Sequence, residues 1–163
     1  MPFVGILSDT HGYLGDYVFN FFENCEEIWH AGDIGSIEIL DKLNSFKHTK
    51  AVYGNIDGGI LKKMLPEIQT FEYQGLNVFM KHIVGYPKKY EKNLITHFAS
   101  NSYQLVIAGH SHILQIMYDN KFNFLFVNPG AAGIYGIHQK ITLVKLEIEF
   151  RQIKNAIIWE KER

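Results

Sequence analysis

The chain has 163 residues, 47% of them hydrophobic and 20% charged, with a formal net charge of -1. That balance is ordinary for a globular protein, and the length suffices to bury roughly two-thirds of the unfolded surface. It excludes the basic excess that grips nucleic-acid polymers or anionic membranes, and the single cysteine, Cys25, excludes an internal disulfide or a cysteine-built metal knuckle.

The opening MPFVGILSDTHG lacks the basic start and long apolar centre of a secretory signal. No apolar run approaches the roughly 20 residues needed to span a bilayer, so a cytoplasmic location is expected. The first apolar run, Phe3 to Leu7, breaks abruptly at Ser8-Asp9-Thr10-His11-Gly12. Helical spacing follows from Leu14 to Asn24, and Cys25 is read in that apolar stretch as a buried, inert thiol. Ile28-Trp29 leads into His30-Ala31-Gly32-Asp33, and Ser36 is placed to cap a helix from Ile37 to Phe46 through its hydroxyl. Ala51 to Tyr53 leads into Gly54-Asn55. Thr70 to Tyr73 pairs with Leu76 to Met80 through Gln74-Gly75, and the second run ends in Lys81-His82. The spacing predicts a helix over Lys88 to Ala99 with Tyr90, Leu94, Ile95 and Phe98 on one face. Leu105 to Ala108 then breaks at Gly109-His110-Ser111-His112. Strands are expected at Ile113 to Tyr118, Phe122 to Val127, Ile141 to Glu149 and Arg151 to Trp159, with a turn at Asp119-Asn120.

Short apolar runs bounded by glycine read as strands covered on both faces. Helix and strand alternate first and strands dominate later, which predicts two sheets packed face to face with helices outside. With no repeat, low-complexity tract or linker, the chain is expected to form one domain over 1–163.

Five of the runs end in a polar turn, and ligands of such sheets bind beyond the carboxyl ends of the strands. Those turns hold seven candidate metal ligands: Asp9, His11, Asp33, Asn55, His82, His110 and His112. The spacing of two in Asp9/His11 and His110/His112 lets each pair converge on one side of an extended segment. Mixed carboxylate, amide and imidazole donors suit manganese, iron or zinc better than magnesium or calcium. Seven donors exceed the needs of one ion and suit two ions sharing a carboxylate. Such a pair, roughly 3.5–4 Å apart, can hold a hydroxide, clamp a phosphate and stabilise an in-line displacement. Each motif alone has a plainer explanation: a self-capped turn, an N-cap at Asp33, a left-handed turn at Asn55, a satisfied strand-end histidine at His82. All four explanations would have to hold together, each at a strand end, for the site to dissolve.

In this order, Asp9-Thr10-His11, Gly32-Asp33, Gly54-Asn55, His82 and Gly109-His110-Ser111-His112 resemble the motifs of the calcineurin-like metallophosphoesterase family, and Asn128-Pro129-Gly130 is similar to its small members. The short chain looks most like the bacterial and archaeal YfcE-like phosphodiesterases, which share their fold with a non-enzymatic retromer subunit. The resemblance implies a four-layer αββα sandwich, an α+β fold with two mixed sheets. It implies hydrolysis of small phosphate esters, diesters foremost, by a hydroxide bridging two ions, with manganese the expected metal and zinc, iron or nickel as alternatives. It assigns Asp9, His11, Asp33 and His112 to one ion, and Asp33, Asn55, His82 and His110 to the other, making Asp33, Asn55 and His82 the residues closest to the chemistry. A phosphomonoesterase or nucleotidase is the rival enzyme, and an interaction scaffold the rival of another class. A homo-oligomer is compatible with either.

Two positions depart from the family pattern. Ile56 stands where many relatives carry a histidine that can protonate the leaving group, which favours substrates whose leaving oxygen is already a stable anion. Ile83-Val84-Gly85 follows His82 in place of an immediate glycine, making His82 the weakest match of the seven. Of the other histidines, His48 and His97 are expected at the surface. His30 is expected at the cleft rim or in a structural role, and His138 is expected either to reach the substrate or to be structural. Lys81, Lys88 and Lys89 could steer phosphate, though lysines flanking a helix start are usually solvated. Phe122 to Phe126 is read as sheet packing, and Gly130-Ala131-Ala132-Gly133 as a turn allowing close backbone approach.

Overall fold

The computed structural model describes residues 2–163. The first third alternates strand and helix: β1 (Phe3–Leu7), α1 (Asp16–Phe21), β2 (Cys25–His30), α2 (Ile37–Phe46), β3 (His48–Ala51) and α3 (Gly59–Met64). A hairpin of β4 (Ile68–Tyr73) and β5 (Leu76–Lys81) follows, then a small ribbon of β6 (Gly85–Tyr86) and β7 (Lys89–Tyr90), then α4 (Lys92–Ser100). The remainder is strand: β8 (Leu105–Ile107), β9 (Leu114–Asp119), β10 (Phe124–Pro129), β11 (Lys140–Glu149) and β12 (Gln152–Glu162).

Two five-stranded sheets form, ordered β12-β11-β1-β2-β3 and β4-β5-β8-β10-β9. Each has three parallel strands, β1-β2-β3 in one and β5-β8-β10 in the other, with the remaining strands antiparallel. Every side chain of β1 is buried, as a strand covered on both faces requires. One apolar cluster, including Ile6, Trp29, Met80, Leu105 and Val144, lies between the sheets. A second joins the first sheet to α1, α2 and α3 through Val18, Leu40 and Leu61, and a third joins the second sheet to α4 through Phe79, Leu94 and Phe98. Helix, sheet, sheet, helix is the expected αββα order.

Register puts the functional loops at one level. Leu7 lies beside His30 and His30 beside Ala51 in the first sheet, while Met80 and Val127 both lie beside Ile107 in the second. The loops after all six parallel strands therefore emerge together at one edge of the sandwich. Among the described residues, no helix is long and apolar enough to cross a membrane.

The structure corrects several local expectations. The first helix is six residues long because Gly15 stands at its N-cap and Cys25 already begins β2, so Cys25 is a strand residue. Burial pushes its thiol up to about 11, which leaves it unreactive. The Ser36 hydroxyl makes no capping bond. α4 starts only at Lys92, because Lys88 adopts a left-handed φ of 77° and Lys89–Tyr90 pairs with Gly85–Tyr86. Tyr90 reaches the α4 core from that ribbon, with its hydroxyl donating to Asp119 at 2.6 Å, while Ile95 stays exposed. The strand before Gly54 spans His48–Ala51 rather than Ala51 to Tyr53; as an edge strand it carries polar residues that hide it from an apolar-run reading.

Candidate metal centre

The seven candidate ligands leave the sheets on loops bent by unusual backbone. Asp9, His11, Asp33, His110 and His112 all have φ between 47° and 75°, the left-handed region. A non-glycine residue there costs on the order of 1 kcal/mol and persists where its surroundings overdetermine it. The surroundings here are hydrogen bonds. Asp9 N–H donates to Gly32 O, His11 N–H to Asp33 O, and Gly12 N–H to Ile34 O, zipping the first loop to the second. Ala132 and Gly133 donate to the carbonyls of Ser8 and Asp9, which makes the Gly130-to-Gly133 segment a backing for the first loop. Gly32 has a φ of 102°, and a Cβ there would lie 2.8 Å from the His82 ring, so the position admits only glycine.

Asp9 is fully buried. Its Oδ2 accepts from Ser8 Oγ at 2.7 Å and from His110 N–H at 3.1 Å. Its Oδ1 lies 3.2 Å from His112 Nε2, 3.5 Å from His11 Nε2 and 3.8 Å from His82 Nε2. Asp33 Oδ1 accepts from Ile56 N–H at 3.0 Å, while Oδ2 lies 3.2 Å from His82 Nε2 and 3.5 Å from His11 Nε2. His82 turns Nδ1 to the Ala31 carbonyl at 2.7 Å, so that nitrogen carries a proton and Nε2 is the one that faces the cleft. Asn55 Oδ1 is 3.0 Å from His110 Nδ1, a separation shared by hydrogen-bonded pairs and by two donors on one ion.

Two clusters result, each with its donor atoms mutually within 4.8 Å: Asp9, His11 and His112, and Asp33, His82 and His110. Asn55 joins the second through His110, and His11 lies between the two carboxylates. Asp9 Oδ1, His11 Nε2 and His82 Nε2 are buried with no hydrogen-bond partner. Polar atoms do not stay unpaired in the interior without a reason. Burial opposes the charge on Asp9, yet His11 and His112 outweigh it and hold its carboxyl well below the usual range. Burial likewise opposes Asp33, and His82 and the Ile56 N–H overcome it. Asp9 raises the proton affinity of His11, and Asp33 and Asp9 do the same for His82 against burial. Ionised carboxylates that raise the proton affinity of His11 and His82 describe donors whose protons a cation displaces. Carboxylate, imidazole and amide donors with unpaired atoms converging on one cleft fit divalent ions of the manganese-to-zinc type.

Further residues hold the donors in place, and of these His30, His138 and Asn128 stood out in the sequence while Asp57 did not. Asp57 is buried and accepts from three backbone N–H groups, those of Ile34, Gly35 and Gly54, at 2.9–3.0 Å, clamping the second loop to the third. His30 is structural rather than at the rim. Gly32 N–H donates to its Nδ1 at 3.1 Å, so Nε2 donates to Thr10 Oγ1 at 3.0 Å, and Thr10 passes its own proton to Ile34 O. Burial pushes His30 down to about 4, which keeps it neutral. His138 is buried with both nitrogens engaged, Nδ1 at 3.0 Å from His112 Nδ1 and Nε2 at 2.8 Å from Gly133 O, so it braces His112. Asn128 donates to Gly109 O and Ser111 Oγ, fixing the loop that carries His110 and His112.

The remaining sequence candidates lie elsewhere or are otherwise occupied. Lys81 Nζ donates to Ile83 O and faces Glu67 at 3.9 Å. Lys88, Lys89 and His48 are exposed. His97 is only partly exposed; its Nε2 meets the Tyr103 hydroxyl at 2.8 Å beside Phe79. Phe124 and Phe126 pack under α4.

A sandwich whose parallel strands all point loops at a cleft of paired carboxylates and imidazoles is a metal-binding hydrolase scaffold. Residues 3–151 match the calcineurin-like phosphoesterase superfamily domain, and the chain belongs to that superfamily. A probable metallophosphoesterase of Methanocaldococcus jannaschii is 31% identical over 152 residues, which are 90% of this chain and 76% of that protein. Another, from Methanothermobacter thermautotrophicus, is 30% identical over 162 residues, covering 95% and 91%. Among solved structures, an archaeal phosphodiesterase superposes with a TM-score of 0.77 at 25% identity, covering 96% of this chain and 99% of that one. Vps29 of Entamoeba histolytica complexed with zinc superposes at 0.75 with 15% identity, covering 98% of each, a likeness of fold. The family hydrolyses phosphate esters with divalent metals, and this chain has two residue groups suited to them.

Proposed function

We propose that the protein is a phosphodiesterase that works with two divalent ions, manganese foremost, on small phosphodiesters in the cytoplasm. The observation that carries this reading is the convergence of Asp9 Oδ1, His11 Nε2 and His82 Nε2, buried and without hydrogen-bond partners, on one cleft. Asp9, His11 and His112 would hold one ion and Asp33, Asn55, His82 and His110 the other, with Asp33 shared. Two such ions clamp a phosphate and neutralise the charge that develops in an in-line displacement. The residues of the chain do the rest. Ser8, Ile56 N–H and the Asp57 clamp orient the carboxylates, and Ala31 O and His138 set which imidazole nitrogens face inward. In the net reaction the oxygen of water adds to phosphorus, one ester P–O bond breaks, and a phosphomonoester and an alcohol or phenol leave.

Ile56 bears on which bond breaks. Its side chain is 49% exposed, where a histidine could have donated a proton, so leaving oxygens that are stable as anions are preferred. The likeness to an archaeal phosphodiesterase supports diesters over monoesters. The net charge of -1 offers no field for a polyanionic polymer, which favours small substrates.

The test is metal-free protein reconstituted with manganese or zinc, analysed for bound metal and assayed on bis(4-nitrophenyl) phosphate and 4-nitrophenyl phosphate. Two ions per chain and faster diester turnover, lost on chelation, are expected. Faster monoester turnover would give the site to the phosphomonoesterase reading. Two bound ions with no hydrolysis of either ester would leave the scaffold role that the same fold permits.

A further inference from the structure

Beside the metal cleft a second hollow of about 720 Å³ opens, sharing Gly109, His110 and Ser111 with it. That volume is typical of a pocket for a small organic ligand and exceeds what a phosphate needs. Its walls are apolar: Ile83 and Val84 from the loop after His82, Tyr86 from β6, and Ile113 and Leu114 at the start of β9. Ile113 is 67% exposed and Tyr86 47% exposed, so large apolar side chains face solvent at the mouth of the proposed catalytic site. The polar groups at its inner end are committed to structure. Asn128 donates to Gly109 O and to Ser111 Oγ, and Ser111 Oγ also accepts from Ile113 N–H, which leaves the Ser111 hydroxyl proton for an incoming ester oxygen. The acidic residue on the wall is Glu91, and no lysine or arginine is among the described residues that line it.

We infer that this hollow is the subsite for the ester group that the substrate retains and that the group is uncharged and apolar, an aromatic ring fitting best. The inference rests on the phosphodiesterase reading and narrows it. With the phosphate between the two ligand clusters, one ester group enters the hollow by way of His110. Tyr86 offers a ring face for stacking, while Ile113 and Leu114 lose water to a ring. A second phosphate in the same place would meet Glu91 and no cation, so nucleoside polyphosphates are disfavoured. A monoester, whose one ester group is the one that leaves, has no retained group to fill the space. Ile83-Val84-Gly85, directly after His82, thereby acquires a purpose as part of the wall.

The experiment keeps the leaving group constant and varies the other ester. Methyl 4-nitrophenyl phosphate and phenyl 4-nitrophenyl phosphate both release 4-nitrophenolate, and the subsite predicts that the phenyl ester has the higher kcat/KM by roughly ten-fold or more, the effect of burying one ring. The gain lies mainly in KM. Tyr86→Ala and Ile113→Asp, at exposed positions whose folding a thermal melt checks, reduce the phenyl-to-methyl ratio towards one. Independently of turnover, phenol added to the metal-free protein shifts the methyl resonances of Ile83, Ile113 and Leu114, and Ile113→Asp abolishes the shifts. Equal kcat/KM for the two esters in an active enzyme overturns the subsite and leaves the hydrolase standing. Absence of turnover of either ester by the manganese-loaded protein overturns the activity, and the phenol titration then decides the hollow by itself.

Discussion

Asp9, Asp33 and Asn55 leave the β1-β2-β3 sheet, whereas His82, His110 and His112 leave β5 and β8 of the other, and the two groups are held differently. The carboxylates are each held from their own half, Asp9 by Ser8 Oγ and Asp33 by Ile56 N–H, with Asp57 clamping the loops behind them, and Asp9 also accepts from His110 N–H across the cleft. His82 and His112 are each fixed by one contact at Nδ1, with Ala31 O and His138 Nδ1, while His110 Nδ1 meets Asn55 Oδ1, and Ala31 and Asn55 belong to the opposite sheet. The first half concentrates negative charge on a rigid frame, while the second supplies imidazole donors whose aim depends on single contacts. Loss from the first half should therefore abolish the site, and loss from the second should detune it.

The strongest test of that asymmetry is Asp33→Asn. An amide keeps the shape and the Ile56 N–H partner but removes the charge that two cations would share. Turnover of a diester is expected to fall by roughly 10³-fold, the upper range for a single electrostatic contributor, and metal content should fall with it. Turnover within ten-fold of the parent would remove Asp33 from the chemistry. Next in size is Asp57→Ala, which touches no candidate ligand. It strands the N–H groups of Ile34, Gly35 and Gly54 where the first sheet's loops meet. A cost of about 2–3 kcal/mol is expected, read as a drop in Tm of roughly 4–12 °C for a chain of this size. An unchanged Tm would mean that the frame is rigid without its clamp.

The two halves also differ in how readable they were. Apolar runs ending in glycine and a ligand-type residue marked all seven candidate donors; for six the run is a buried strand that writes itself as an apolar segment, while the run Ala51 to Tyr53 that marked Asn55 only overlaps the end of the polar edge strand β3. The structure gathers all seven into one cleft. Asp57 was invisible as a clamp, since its partners Ile34 and Gly35 lie 22 or more residues away and aspartate beside Gly58 reads as turn chemistry. The left-handed backbone at five donor positions has no signature in periodicity. The ribbon at Gly85–Tyr86 and Lys89–Tyr90 was missed for a related reason. Tyr90 falls at helical spacing with Leu94 and Phe98, and burial from a neighbouring strand imitates the pattern of a continuous helix.

The smallest effect, and the sharpest for the imidazole half, concerns His138. Its Nε2–H donates to Gly133 O, so its Nδ1 must accept the proton of His112 Nδ1, and that places the His112 lone pair on Nε2, the nitrogen 3.2 Å from Asp9 Oδ1. Burial keeps His138 below the usual histidine range and therefore neutral, as this arrangement needs. His138→Ala removes the acceptor and frees the His112 ring to turn. A loss of about 10–100-fold in metal affinity is expected, the usual consequence of removing a partner behind a ligand. His138→Gln, whose amide oxygen can accept from His112, should recover part of it. The readout is competition for metal against a chelator, which turnover at saturating metal would hide. If alanine and glutamine bind metal as tightly as the parent, His112 is held by its own loop, and the imidazole half is as rigid as the carboxylate half.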